Sequence, residues 1–92
     1  MTTQTPSIGR IVHYTLNNDD EAAINGRRDE DPRSGNRVSA GDIYPMMITR
    51  VWGDQPDSSV NGQVHLDGRD LHWVTSVSHG EGERHFAWPA RT

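Results

Sequence analysis

The sequence predicts a mostly β domain, a small SH3-like antiparallel barrel of about five strands with one short inserted helix. Three observations carry that expectation. Short runs rich in β-branched and aromatic residues recur along the chain, separated by Gly/Asp/Pro turn signals. Only one stretch has helix-start chemistry. Strands in succession are joined by tight turns, the order expected of a bent barrel rather than of a parallel sheet.

The elements follow in order. Met1–Ser7 reads as a loose terminal tail. Arg10–Leu16 reads as a strand whose core face is Val12, Tyr14 and Leu16. Asn18 is placed to cap a helix of two to three turns, with Glu21 three residues on. Asp19, Asp20 and Glu21 sit at the positive end of its dipole, and Arg27 and Arg28 at the negative end. Asp29–Asn36 is a polar connector whose charges are expected to be solvated.

Gly41-Asp42 signals a turn into the next strand, with Pro45 expected at its start or on an edge. From Met46, one face carries Met46, Ile48, Arg50 and Trp52 and the other Met47, Thr49 and Val51. Val60–Asp67 is a strand with Val64 and Leu66 inward. Asp67–Asp70 is read as the hairpin turn, which sets Leu66 opposite Leu71 and His65 opposite His72. Arg84–Trp88 is a last short strand, stopped by Pro89.

Composition bounds the chemistry. Ninety-two residues make one domain, residues 1–92, and a hydrophobic fraction of 32% with mean hydropathy -0.83 leaves a lean core. Without cysteine, neither disulfides nor thiolate metal sites can supplement that core, so homo-oligomerisation is the expected supplement. A net charge of -4 argues against a partner that is a nucleic-acid polymer. All nine positive side chains are Arg, which suits bidentate contacts to anions and stacking on rings, but equally reflects Arg-rich codon usage. No apolar run approaches membrane-spanning length and the N-terminus lacks the pattern of a signal peptide, so a cytoplasmic protein without membrane contact is expected.

Catalytic patterns are weak. His65 and His72, with Asp67 or Asp70 close by as a third ligand, could hold a metal, but no recognised ligand spacing such as HExxH is present, so no metal or cofactor is expected. Ser76 or Thr75 with His79 or His13 lacks a nucleophile elbow and a nameable orienting carboxylate. Gly80–Glu83 is too acidic to cradle a phosphate. The protein is therefore read as a binder, not an enzyme. The aromatic set is more informative, with core packing expected for at least two of Trp52, Trp73 and Trp88. Arg50 shares a face with Trp52, an arrangement that can stack a base and clamp a phosphate or build a subunit interface.

Several segments together resemble a family of small proteins encoded by tailed bacteriophages, especially those of GC-rich actinobacterial hosts. They are S-I-G-R-I-V-H-Y at Ser7–Tyr14, A-A-I-N-G-R-R at Ala22–Arg28, the run from Gly35 to Gly53, V-N-G-Q-V-H-L-D-G-R-D-L-H-W-V-T-S-V at Val60–Val77, and Trp88-Pro89. The resemblance spans nearly the whole chain, which is shorter than its relatives after Arg28. It implies a phage anti-defence context in the host cell cytoplasm, such as sequestration of a cyclic nucleotide or cyclic ADP-ribose-type immune signal. The residues expected to line that site are Arg50, Trp52, Trp73, His13 and Arg28. The guanidinium groups would meet phosphate, the indoles would stack, and the imidazole would hydrogen-bond. The alternatives are an SH3-like module that inhibits a host protein, and a virion accessory or decoration protein.

Overall fold

The structure is a computed structural model and describes residues 4–90. Five strands close into a barrel in the order β1 (Ile11–Thr15), β2 (Ile43–Val51), β3 (Val60–His65), β4 (Leu71–His79) and β5 (His85–Ala87). One helix, α1 (Asn18–Glu30), is inserted between β1 and β2. The expected architecture is thus present. Four of the five seams are antiparallel. The seam between β4 and β5 is parallel, through Ser78 opposite His85 and His79 opposite Phe86. Part of the N-terminal segment read as a loose tail, residues 1–3, lies outside the described residues. The rest is tied down: Pro6 is buried and Arg10 donates to Gln4 Oε1 at 2.8 Å.

The period-two pattern of β1 sends Val12 and Tyr14 inward, as expected, and Leu16 follows them into the core. Met46 and Ile48 of β2, Val60 and Val64 of β3, Val74 and Val77 of β4, and Phe86 of β5 fill the rest. Ile24 of α1, Val38 ahead of β2 and Leu66 just after β3 complete it.

Three local readings need correction. The helix begins one residue earlier than expected. Asn17 is the cap, its side chain accepting from Asp20 N at 2.8 Å while Asp20 Oδ2 accepts from Asn17 N at 3.0 Å. Two adjacent asparagines made the cap ambiguous. The pairing of Asp20 with both Tyr14 and the cap decides it. Second, the helix runs past Gly26 to Glu30, into the expected connector, because Arg27 and Arg28 are anchored by tertiary contacts.

Pro45, opposite His13, sits as expected on an edge stretch near the start of β2, because the β2–β3 ladder begins only at Met46. Third, the β3–β4 hairpin is offset by one residue, with His65 opposite Leu71 and Val64 opposite His72. That offset turns His72 toward the inner side and leaves His65 exposed.

Two register shifts re-aim side chains. Between Ile48 and Arg50 the β2–β3 ladder slips, so Arg50 and Trp52 face outward while Val51 packs against the core. Between Val60 and Gly62 the β3–β4 ladder slips likewise, and Ser76 adopts φ 53°. Asn61 caps both irregularities, its Oδ1 accepting from Trp52 Nε1 at 3.0 Å and from Ser76 N at 2.9 Å.

Candidate functional site

The five expected site residues are not brought together. Arg28 is buried, and four of its five N–H donors are committed. Its Nη1 and Nη2 donate to Asp70 Oδ2 and Oδ1, each at 3.0 Å. Nη1 also donates to Ser34 Oγ and Nε to Asn36 O, both at 2.9 Å. That guanidinium stitches α1, the connector and the β4 start, and its side chain is too deeply buried to meet a ligand. His13 stands exposed on β1 between Pro45 and Ala87, away from any cation of the expected set.

Arg50 and Trp52 do meet. The Arg50 guanidinium carbon lies 4.0 Å from the Trp52 ring centroid. With one ring face covered and its N–H bonded to Asn61, Trp52 is satisfied within the chain although it is 53% exposed. The expectation that two of the three Trp are core is also corrected. Trp88 alone packs against the core, edge-on to Phe86 at 5.9 Å, while Trp73 is 61% exposed.

Trp73 instead lines an open cleft of about 290 Å³ with Asn17, Asp19, Asp20, Val74, Thr75 and Arg84. The cleft forms where the start of α1 approaches the middle of β4. Each wall has a structural cause. Asn17 and Asp20 are fixed by their reciprocal capping bonds. Trp73 is turned outward because His72 and Val74, its neighbours on β4, take the inward positions. Arg84 is held in a left-handed turn, φ 65°, by its N–H to Thr15 O at 2.8 Å and by Nη2 to Thr75 O at 2.9 Å. Its side chain is exposed, donates to Thr75 O and also approaches the Tyr14 phenol, so the guanidinium is positioned at the cleft.

Beneath the cleft lies a buried polar network. Tyr14 Oη donates to Asp20 Oδ2 at 2.6 Å, and His72 Nε2 lies 2.9 Å from Asp20 Oδ1. Burial pushes the Asp20 carboxyl up, but the hydrogen bonds from His72, Tyr14 and Asn17 outweigh it and hold the group below the ordinary carboxylate range. Burial, then the adjoining Asp20 carboxylate, push the Tyr14 phenol well up. The network fixes the cleft floor. Among the described residues no Ser or Thr hydroxyl bonds to a histidine, and no cluster of three His, Asp or Glu side chains is arranged to hold a metal. No described helix is long and apolar enough to cross a membrane.

Asp19 is exposed on the cleft rim, so an acceptor-only carboxylate faces the same space as the Arg84 donors. Sequence reasoning missed both. Asp19 reads as a dipole partner, which it is, and composition gives no sign that the turn after β4 folds Arg84 back onto Thr75 beside Trp73. No family model, no curated protein and no solved structure matches this chain.

Proposed function

We propose that this protein is a non-enzymatic binding module that captures a small nucleotide-like molecule in the Trp73–Arg84 cleft. The observation that carries the reading is the convergence on one open cleft of an exposed indole, an anchored guanidinium and a free carboxylate. A flat heterocycle stacks on Trp73, a contribution of about 1–3 kcal/mol per base. Arg84 meets a phosphate or another anionic oxygen, and Asp19 accepts from base N–H or sugar hydroxyl groups. Arg84 thereby takes the role first given to Arg28 and Arg50.

The cleft volume narrows the ligand. About 290 Å³ lies at the small end of ligand sites. It suits one base with its sugar and phosphate rather than both bases of a cyclic dinucleotide. In the tailed-phage context suggested by the sequence, such capture would sequester an immune nucleotide in the host cell. Calorimetry against cyclic mononucleotides, cyclic ADP-ribose-type molecules and cyclic dinucleotides tests the reading. Heat is expected with ligands of the first two classes, and loss of it in Trp73→Ala. A folded protein that gives no heat with any of them overturns it.

A further inference from the structure

The polar groups lining the cleft form a definite hydrogen-bonding pattern. Both Asp20 oxygens are spent, Oδ1 on His72 and Oδ2 on Tyr14 and Asn17 N. Thr75 O is taken by Arg84 Nη2 at 2.9 Å. Asn17 Oδ1 is taken by Asp20 N at 2.8 Å, which leaves Nδ2 as the donor end of that amide. Asp19 is exposed, and an ionised carboxylate only accepts. The wall at the start of α1 therefore sets an amide donor two residues from a pair of carboxylate acceptors. Trp73, Thr75 and Arg84 form the β4 side of the same cleft.

From this pattern we infer that the cleft selects guanine among the common bases, with Asp19 as the specificity-determining residue. This selectivity presupposes the nucleotide reading above. With the ring stacked on Trp73 and the phosphate at Arg84, Asn17 and Asp19 are the directional groups left to read the edge of the base. The Thr75 hydroxyl either donates or accepts, so it does not discriminate. Guanine alone presents two N–H donors side by side, N1–H and the 2-amino group, and they match the two oxygens of one carboxylate. Its O6, next to N1–H, accepts from Asn17 Nδ2. Adenine sets the N1 lone pair beside its 6-amino group, and cytosine sets N3 beside its 4-amino group. Uracil and thymine flank N3–H with two carbonyl oxygens. Each of these turns a lone pair toward one Asp19 oxygen, and an acceptor that faces an acceptor loses its water without gaining a partner.

Calorimetry on the full chain with 3′,5′-cyclic GMP, cyclic AMP and cyclic IMP tests this, since the three share sugar and phosphate. Cyclic GMP is expected to bind roughly tenfold or more tighter than cyclic AMP, the scale of one bidentate base contact. Cyclic IMP keeps N1–H and O6 but lacks the 2-amino group, and should fall between them. Asp19→Asn replaces one acceptor by a donor, which suits the N1 and 6-amino edge of adenine. That variant should lose affinity for cyclic GMP and gain it for cyclic AMP. Removal of a negative charge near an anionic ligand would instead raise both alike, so opposite shifts isolate the base contact. Asp19 is exposed, so the exchange is expected to leave the fold intact, which circular dichroism checks. Equal affinities for cyclic GMP and cyclic AMP overturn the selectivity and leave the binding reading standing. A guanine preference that Asp19→Asn leaves unchanged overturns the assignment to Asp19. Folded protein that gives no heat with any of the three overturns the selectivity, and silence across the wider panel overturns the binding reading as well.

Discussion

Arg28 and Asp70 meet side-on, with Nη1 to Oδ2 and Nη2 to Oδ1 both at 3.0 Å, joining the last turn of α1 to the start of β4. Arg27 Nε adds a third bond to the same carboxylate, at 3.0 Å. The bonds from Arg28 come first among the causes that hold the Asp70 carboxyl below its usual range, against the upward push of burial. This pair ties the end of the inserted helix to the barrel, as Asp20 ties its start through Tyr14 and His72.

Arg28→Ala is expected to destabilise the protein by about 3–5 kcal/mol, the range for breaking a buried pair from one side. The bonds to Ser34 and Asn36 are lost with it. Arg28→Lys does not rescue, because an ammonium cannot reproduce the planar fork. Urea unfolding of the three proteins measures the difference, and ligand heat at matched folded concentration is expected to be unchanged.

The same corner requires two glycines. Gly35 and Gly68 face each other across an isolated bridge, and a Cβ on Gly68 would stand 2.4 Å from Ser34 O and 2.8 Å from Gly35 Cα. Gly68→Ala is expected to cost about 1–3 kcal/mol as the two backbones are forced apart. Gly26→Ala, on the open face of α1 with nothing near its Cβ, is expected to stabilise by about 0.4–1 kcal/mol. Thermal unfolding of the pair should therefore give shifts of opposite sign.

Acid should unfold the protein through Asp20 and Asp70. Both carboxyl groups are depressed in the folded state, so below about pH 4, the ordinary Asp value, the unfolded chain binds more protons than the folded one. Their stabilisation is complete above that pH and is lost as pH falls through the folded values. Urea midpoints measured from pH 7 down to about pH 2.5 should fall most steeply below pH 4. Asp20→Asn and Asp70→Asn should each lower stability at pH 7 and flatten the slope.

The ligand reading predicts a contrast between two arginines. Arg84→Ala should weaken binding roughly tenfold or more, the scale of a lost charge-assisted contact. Arg50→Ala should leave affinity unchanged, since Arg50 is stacked on Trp52 outside the cleft residues. Calorimetry on the two variants decides between them, and equal losses would return the site to Arg50 and Trp52.

What the sequence revealed tracks how local each signal is. Val12, Tyr14, Val64 and Leu66 were legible as core because alternation within a strand fixes the face. Arg50, Val51 and Trp52 were misassigned because a bulge, set by pairing with β3, breaks that alternation. His65 and His72 were paired wrongly because a one-residue change of hairpin register is invisible in composition. Trp73 is legible as a ligand residue, but its companion Asp19 comes from the start of α1, far from β4 in the chain, and Arg84 reaches the cleft only because the turn after β4 folds back onto Thr75. Arg28 looked like a cation for a ligand because nothing before folding shows that Asp70 faces it.

The most direct test of the central claim is the indole N–H spectrum of the isotopically labelled protein during titration with a cyclic mononucleotide. The chain has three Trp, and their environments differ: Trp88 packs against the core, Trp52 is bonded to Asn61, and Trp73 lines the cleft. The account predicts a saturable shift of the Trp73 indole resonance, assigned by Trp73→Phe, with the Trp52 resonance unmoved. Saturation centred on Trp52, or three unmoved resonances across the nucleotide classes, would contradict it.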